Sequence, residues 1–323
     1  MNLKRLLAIA VSAGLLAWLM ADGRWRGLGE VIQRLSGPSL ALSAAGFALS
    51  YLLRALRIYD EFRAQAGGRF GTCLRITLIH NAMINVVPFR GGEAAFPILL
   101  RQNFGVPLPR AIASLFWFRL QDAFVVMALA AVVWPGLHPA LKALAVAGVL
   151  LMAWWLPRWA RAPHAWADGS GLTAKFAKVR DAFAESTRHA RYGWVWTIAN
   201  WTVKLTAQAW LLAALIPAAL DVGAAGALGA ELAAILPIQG VAGFGTYEAG
   251  AAAALLPSGV PLQAGLQAAL ALHLFVIACA VTSGAIAWLF PAPAAPETRA
   301  DAPSDIQSAS SAADGAPTRT SAD

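Results

Sequence analysis

The sequence predicts an all-α integral membrane protein, a polytopic helix bundle of about six full spans with two re-entrant or broken helical hairpins. Hydrophobic residues make up 59% and charged residues 13% of the 323 residues, whereas soluble domains carry roughly 25% charged residues. The apolar residues lie in blocks, and a bilayer-spanning helix needs ~20 of them. This composition excludes a soluble enzyme. Tryptophans, which favour the membrane interface, lie near the block ends: Trp18, Trp25, Trp134, Trp154, Trp155, Trp194 and Trp288.

The N-terminal half contains four predicted spans and a short, broken apolar stretch. The first block is too long for a signal peptide, and the sequence from Leu19 to Asp22 lacks a small-residue cleavage site, so we interpret it as an uncleaved span. A basic loop that includes Arg54 and Arg57 is expected after the second span. The predicted segments are spans 1–20 and 38–53, the short pieces 72–88 and 93–104, and spans 110–134 and 138–156.

The C-terminal half begins with a polar loop. Within that loop, residues 175–191 have the pattern of an amphipathic helix at the membrane surface. Residues 291–323 are rich in Pro, Ala, Ser and Asp, which predicts a disordered acidic tail after a transmembrane domain of residues 1–290. The predicted segments are the loop 157–192, the span 193–216, the short pieces 223–238 and 246–257, and the span 264–290.

The placement of Lys and Arg predicts the orientation, because basic loops stay in the cytoplasm. The N-terminus and the loops 54–75 and 157–192 carry most of the basic residues and are expected to be cytoplasmic. Arg24, Arg26 and Arg34 oppose this assignment. The net charge of +8 fits loops on an anionic leaflet and requires no nucleic-acid partner. If the N-terminus is cytoplasmic, the spans on either side of residues 72–108 require this stretch to enter and leave the membrane on the same side, and the same holds for residues 223–257. Both stretches are therefore expected to be hairpins, which enter the membrane from opposite faces.

The two hairpins are interrupted at similar motifs, which we call the first and the second break. The first break reads Asn-Val-Val-Pro-Phe-Arg-Gly-Gly-Glu over residues 85–93, and the second runs from Pro237 through three glycines to Glu248. Pro and Gly free backbone groups that hydrocarbon cannot satisfy, so such stretches must line a protein-buried or water-filled cavity. Paired breaks of this kind mark binding sites in transporters. The alternative is a pair of structural kinks capped by their glutamates.

Ionisable residues inside the apolar segments supply the other candidates. Arg90, at membrane depth, is suited to a phosphate group. Arg119 and Asp122 share a helix face and can neutralise each other. Lys204 needs a carboxylate partner from Glu93, Glu231 or Glu248, whereas His80 and His273 are interpreted as packed polar residues. The predicted substrate-binding residues are Asn85, Arg90, Gly92, Glu93, Arg119, Asp122, Lys204, Gly243, Gly245 and Glu248. No metal site, cofactor or ATPase motif is expected.

These motifs resemble the lysylphosphatidylglycerol synthase transmembrane family, which is flippase-like, over roughly residues 1–290. The resemblance implies an eight-segment bundle in the bacterial inner membrane that moves a lipid or lipid-linked molecule between leaflets. It maps Arg90, Gly92 and Glu93 to the first motif, Asp122 to the next span, and Gly243, Gly245 and Glu248 to the second motif. Two positions depart from the family pattern, Phe118 and Tyr247. The soluble aminoacyltransferase domain of fused members is absent, so synthesis of aminoacyl-lipids is not expected.

Three functions follow from these observations. The leading one is a translocator of a phospholipid, a hopanoid or a lipid-linked sugar. The alternative is a membrane-embedded enzyme or accessory subunit of lipid or envelope glycoconjugate biosynthesis, which lipid turnover dependent on Glu93 or Asp122 would identify. The third is a non-catalytic scaffold for envelope biosynthesis proteins, whose phenotype would not respond to substitution of Arg90 or Glu93.

Overall fold

The computed structural model describes residues 28–33, 35–87, 91–134, 136–163, 171–235 and 241–289, and within these ranges it contains helices and no strand. Three 3-10 turns, at Gly91–Ala94, Val241–Gly243 and Leu256–Ser258, interrupt or extend the α-helices. The α-helices are α1 (Leu28–Gln33), α2 (Gly37–Glu61), α3 (Arg63–Ala66), α4 (Phe70–Val86), α5 (Ala95–Phe104), α6 (Leu108–Val133), α7 (Pro139–Arg161), α8 (Leu172–Ser186), α9 (Gly193–Leu215), α10 (Leu220–Ile235), α11 (Thr246–Leu255) and α12 (Leu262–Leu289).

Long apolar helices form the bundle. Four of them in the described residues, α2, α6, α7 and α12, are long and apolar enough to cross a membrane. The count rises to five if α9 and α10, which meet at a bend of 116°, are taken as one broken span. The predicted all-helical membrane bundle is therefore confirmed. The predicted first span, 1–20, and the tail from 291 lie outside the described residues, so the division at residue 290 stays a prediction.

The second span is longer than predicted, and this corrects the assignment of two arginines. Helix α2 does not end near Leu53 but continues to Glu61, so Arg54 and Arg57 are helical residues and not part of a basic loop. The helix continues because Arg57, only 4% exposed, turns into the bundle and finds acceptors there. A buried charge that is paired and hydrogen-bonded does not force a helix out of the apolar layer.

The bundle contains two runs of four helices with matching contacts. Helices α2, α4, α5 and α6 pack in sequence, as do α9, α10, α11 and α12. Between the runs, α2 packs against α9, α4 against α12, and α6 against α10. Helices α2 and α9 are antiparallel, because the Ser43 hydroxyl donates to the Ala207 carbonyl while Ser50 donates to the Asn200 side chain. The second run is thus inverted relative to the first, an arrangement that places the two breaks in corresponding positions.

The second hairpin depends on close contact between two glycines. A Cβ at Gly229 in α10 would overlap the carbonyl oxygen of Gly250 and the Cβ of Ala254 in α11. A Cβ at Gly250 would likewise overlap Ala233 and the Gly229 backbone. Small residues let membrane helices approach closely, and dispersion contacts replace the hydrophobic effect that is missing in lipid. The two arms of the hairpin therefore pack backbone to backbone.

We expect Gly229→Ala to lower the free energy of unfolding by about 1–3 kcal/mol, because the added methyl group overpacks this contact. Unfolding in mixed detergent micelles measures the change. Gly148→Ala in α7 is the matched control, since a Cβ added there meets no atom of the described residues within 4 Å and Ala is the better helix former by up to about 1 kcal/mol. Equal stability of the two variants would contradict the close contact.

Candidate functional site

The first break presents Glu93 on a tight turn. Residues Gly91–Ala94 form a 3-10 turn directly before α5, and a Cβ at Gly92 would overlap the Met83 carbonyl group of α4. Gly92 is therefore required for the backbone to approach α4 this closely. Arg90 and the two residues before it lie outside the described residues, so its predicted role stays untested.

Glu93 joins α4 to α6. Its Oε1 accepts a hydrogen bond from Nη2 of Arg119 at 2.7 Å, and its Oε2 lies 3.5 Å from Nε2 of His80. No backbone capping bond to Glu93 is present within the described part of the chain, so its partners are side chains of neighbouring helices. His80 is buried, and its ring also contacts that of Phe96, with 5.3 Å between centroids. The first glutamate therefore belongs to an interhelical ion pair.

Asp122 is the centre of a second set of contacts on the same side of the bundle. Its Oδ1 accepts from Nη1 of Arg57 at 2.7 Å and from Nε1 of Trp201 at 3.0 Å. Arg57 also donates from Nη2 to the Phe118 carbonyl at 2.8 Å and to the Gln121 side chain at 2.9 Å. The guanidinium group lies over the Phe118 ring, 4.2 Å from its centroid. Phe118, which departs from the family pattern, therefore supports this arginine.

The predicted Arg119–Asp122 pair exists but is not the main contact of either residue. Arg119 Nη1 lies 3.8 Å from Asp122 Oδ2, whereas each side chain has another partner at 2.7 Å, Glu93 and Arg57 respectively. Sequence spacing identified neighbours on one helix face but not the partners on other helices. The two pairs form one group with His80, which lies beside Glu93, and with Arg54, which lines the same cavity as Arg57 and Arg119. We call this group the first charged cluster: Arg54, Arg57, His80, Glu93, Arg119 and Asp122.

A small cavity lies beside the first charged cluster. Three arginines line it, Arg54, Arg57 and Arg119, together with His80 and Asp122. Its remaining walls are mostly apolar, which limits the water it contains and strengthens electrostatic interactions inside it. The cavity is lined by more cationic than anionic side chains. Its other lining residues are Ile58, Thr77, Phe96, Leu115 and Phe118.

A second group of polar side chains lies between α9, α10 and α11. Lys204 donates to Oε1 of Glu231 at 2.7 Å, which identifies its carboxylate among the three predicted alternatives. Gln208 donates from Nε2 to the same Glu231 oxygen at 2.7 Å and to the Tyr247 hydroxyl at 2.9 Å. Tyr247, the other departure from the family pattern, is thus a hydrogen-bond partner inside the bundle. Glu231, Gln208 and Tyr247 are all buried.

The second break positions Glu248 at the start of α11. Gly243 and Gly245 have φ angles of 86° and 87°, a conformation that residues with a side chain rarely adopt. Oε2 of Glu248 accepts from the Gly245 backbone N–H at 2.6 Å, so the predicted helix cap is confirmed. Oε1 lies 2.7 Å from Nδ1 of His273 in α12. The His273 ring stacks on that of Tyr247, with 4.3 Å between centroids.

Together these residues form the second charged cluster, which consists of Lys204, Gln208, Glu231, Tyr247, Glu248 and His273. Trp201 connects it to the first. The Trp201 indole donates to Asp122, while Nζ of Lys204 lies over its ring, 4.5 Å from the centroid. Side-chain contacts therefore run without interruption from Glu93 at one break to Glu248 at the other, through the interior of the bundle.

One predicted site residue is not brought into either cluster. Asn85 donates from Nδ2 to the Asn81 carbonyl one turn earlier in α4, at 2.8 Å. This bond satisfies the amide within its own helix. Of the other predicted residues that the structure describes, Gly92, Gly243 and Gly245 shape the breaks, and Glu93, Arg119, Asp122, Lys204 and Glu248 carry the charges.

Several cluster residues were missed or undervalued in the sequence. His80 and His273 were interpreted as packed polar residues, and Arg57 was assigned to a loop. One signal in the sequence does point to His273: Glu93 and its partner Arg119 are 26 residues apart, and Glu248 and His273 are 25 apart. Because the two runs of helices match, a residue that pairs with the first glutamate indicates where the partner of the second lies.

Comparison with known proteins agrees with this architecture. The family model described as Lysylphosphatidylglycerol synthase TM region matches residues 5–284. No curated protein and no solved structure matches the chain. Since the matched region covers most of the sequence and includes both breaks, as the motifs predicted, this multi-pass membrane protein belongs to the lysylphosphatidylglycerol synthase TM region family.

Proposed function

We propose that this protein moves a lipid, or a lipid-linked molecule, between the two leaflets of the bacterial inner membrane. The N-terminus would lie in the cytoplasm, as the distribution of basic residues indicates. The observation that carries the proposal is the uninterrupted chain of charged and polar side chains between the two breaks. A polar head group needs such a route, because the hydrocarbon layer offers it no hydrogen-bond partners.

The energetic cost of these side chains supports the proposal. Ionisable residues within membrane segments are costly and usually mark substrate or ion pathways. Here Arg57, Asp122, Glu231, Glu248 and His273 are all buried. A bundle that served only as a scaffold could be held together by small apolar contacts such as those of α10 and α11, so its fold does not require two charged clusters.

The two clusters differ in charge, which suits a head group with more than one polar part. The first contains three arginines and two carboxylates, and the second contains one lysine and two carboxylates. An anionic group is therefore favoured near the first break and a cationic group near the second. Family membership supports a role in lipid biosynthesis or translocation, and the inverted pair of broken hairpins favours translocation.

We expect the purified protein to accelerate leaflet exchange of fluorescent phospholipids in liposomes, and Glu93→Gln or Asp122→Asn to slow that exchange at least about tenfold. Tenfold corresponds to about 1.4 kcal/mol in the barrier, a modest loss for a charged interaction in the interior. Dithionite quenching of the outer leaflet measures the rate. Glu185→Gln, at an exposed carboxylate of α8, is the matched control and should leave the rate unchanged.

The comparison requires variants that insert equally well, so each is checked for monodispersity and orientation before reconstitution. Absence of exchange by wild-type protein, with anionic, zwitterionic and neutral lipids alike, would contradict the translocator. Exchange that persists in both variants would show that lipid does not pass along the charged clusters.

A further inference from the structure

We propose that Arg54 binds a phosphate group of the ligand inside the cavity of the first charged cluster. This inference rests on the proposed function, because it names the chemical class that the site recognises. The shared chemistry is a phosphate mono- or diester, and the lipid head group is the source that the membrane location favours. Arg54 was expected in a surface loop, and its position within α2 brings it to the cavity wall.

Arg54 differs from the other two arginines of the cavity in its contacts. Arg57 bonds to Asp122, Gln121 and the Phe118 carbonyl, and Arg119 bonds to Glu93. Among the residues that the structure describes, Arg54 has no hydrogen-bond or ion-pair partner. The charged groups that act on it are Arg57, Arg119 and Asp122, of which two are also cationic.

The carboxylates of the cluster do not compensate for this third guanidinium group. Asp122 Oδ1 already accepts two hydrogen bonds, from Arg57 and Trp201, and its Oδ2 faces Arg119. Oε1 of Glu93 accepts from Arg119, and its Oε2 lies 3.5 Å from Nε2 of His80. Three cations therefore face two anions, and all three cations line the cavity. An arginine held at membrane depth without a partner is costly unless an anion joins it.

The chemistry of guanidinium selects phosphate over other anions of a membrane. Its planar fork matches two phosphate oxygens and forms short, charge-assisted hydrogen bonds. Apolar walls formed by Phe96 and Phe118 exclude water from those hydrogen bonds.

If Arg54 serves ligand binding and not folding, its replacement should lower ligand affinity without lowering the unfolding temperature. Because Arg54 forms no hydrogen bond or ion pair with the described residues, its replacement breaks no such bond within the fold. It also relieves repulsion from Arg57 and Arg119. We therefore expect Arg54→Gln to unfold at the same temperature as wild type or at a higher one, and yet to lose ligand affinity. Functional residues often trade stability for binding in this way.

The test is isothermal titration of the full chain in neutral detergent micelles with three probes. These are dihexanoylphosphatidylglycerol, inorganic phosphate, and a short-chain glucosyl diacylglycerol without phosphate. We expect the phospholipid to bind, the glucosyl lipid not to bind, and Arg54→Gln to raise the phospholipid Kd at least tenfold. The phospholipid Kd of Arg54→Lys should lie between those of wild type and Arg54→Gln, since lysine keeps the positive charge but lacks the planar guanidinium fork. Arg101→Gln, at an exposed arginine of α5, should bind like wild type.

Each other outcome overturns the assignment. Wild-type affinity in Arg54→Gln would remove Arg54 from the site. Equal affinity for the glucosyl lipid would show that phosphate is not recognised, and equal affinity for inorganic phosphate would assign the site to free phosphate instead of a lipid. A clear fall in unfolding temperature would make Arg54 a structural residue. Because binding is measured without transport, phospholipid binding that depends on Arg54 but occurs without leaflet exchange contradicts the proposed function alone.

Discussion

Arg57→Met is expected to destabilise the folded protein by about 3–5 kcal/mol, which is the cost of breaking a buried ion pair by removing one partner. The substitution leaves Asp122, itself buried, with an uncompensated negative charge. It also removes the side-chain donor that now bonds to the Gln121 oxygen and, in addition to the helical N–H, to the Phe118 carbonyl. Methionine keeps the length and the contact with the Phe118 ring, so packing changes little. Unfolding in mixed detergent micelles measures the loss.

The double variant Arg57→Met with Asp122→Asn separates the charge from the hydrogen bonds. It removes the orphaned charge, and asparagine still accepts from the Trp201 indole. We expect most of the lost stability to return, because exchanging both partners of a buried pair is often close to neutral. Arg63→Met, at an exposed arginine of α3, is the control for loss of a positive charge. If Arg57→Met is no worse than that control, Arg119 must be able to move and compensate for Asp122.

Arg57 also shows why sequence patterns underestimated the second span. A hydropathy scale assigns each charged residue a large cost of transfer into the membrane, as if its side chain faced lipid. A charged residue therefore ends the predicted membrane segment. Arg57 faces Asp122, 65 residues away, and no local pattern contains that pairing. The boundaries of α6 and α12 lie within two residues of the predicted ones. These helices contain few charged residues, so their apolar length determines where the membrane segment ends.

The candidate site was predictable at the breaks and not between them. Pro, Gly and Glu at each break are local signals, because their conformational preferences act within a few residues. The partners of Glu93 and Glu248, by contrast, come from other helices through tertiary packing. Trp201 is the clearest case. Tryptophans in membrane proteins are expected at the membrane interface. Trp201 is instead buried, and it joins Asp122 to Lys204.

Reversing the charge of Glu231 in the second charged cluster should strongly destabilise the folded protein. Glu231→Lys places a second ammonium group beside Lys204, whose Nζ now lies 2.7 Å from the Glu231 carboxylate. Two like charges at about 4 Å repel by about 4 kcal/mol at an effective dielectric constant of 20, and the existing pair is lost as well. We expect too little folded protein for purification, as judged by the monodisperse fraction of a fluorescent fusion. Glu185→Lys on the exposed face of α8 is the control.

The swapped pair, Lys204→Glu with Glu231→Lys, should recover the fold. Gln208 can turn its amide, because its oxygen, buried and without a partner among the described residues, is then the acceptor for the new lysine. Recovery should fall short by about 0.5–2 kcal/mol, the value of a cation over an aromatic ring, since the ammonium group leaves Trp201. Failure of the swap to restore folded protein would show that the pair does more than neutralise charge.

The swap also distinguishes a structural pair from a functional one. Both orientations neutralise the pair, but only the native one leaves a carboxylate at position 231, hydrogen-bonded to Gln208 and connected through it to Tyr247 at the second break. We therefore expect the swapped protein to fold and yet to exchange lipid at less than about a tenth of the wild-type rate, a barrier change of about 1.4 kcal/mol. Full recovery of exchange together with folding would make the pair a purely structural element. The route of the head group would then have to end at the first charged cluster.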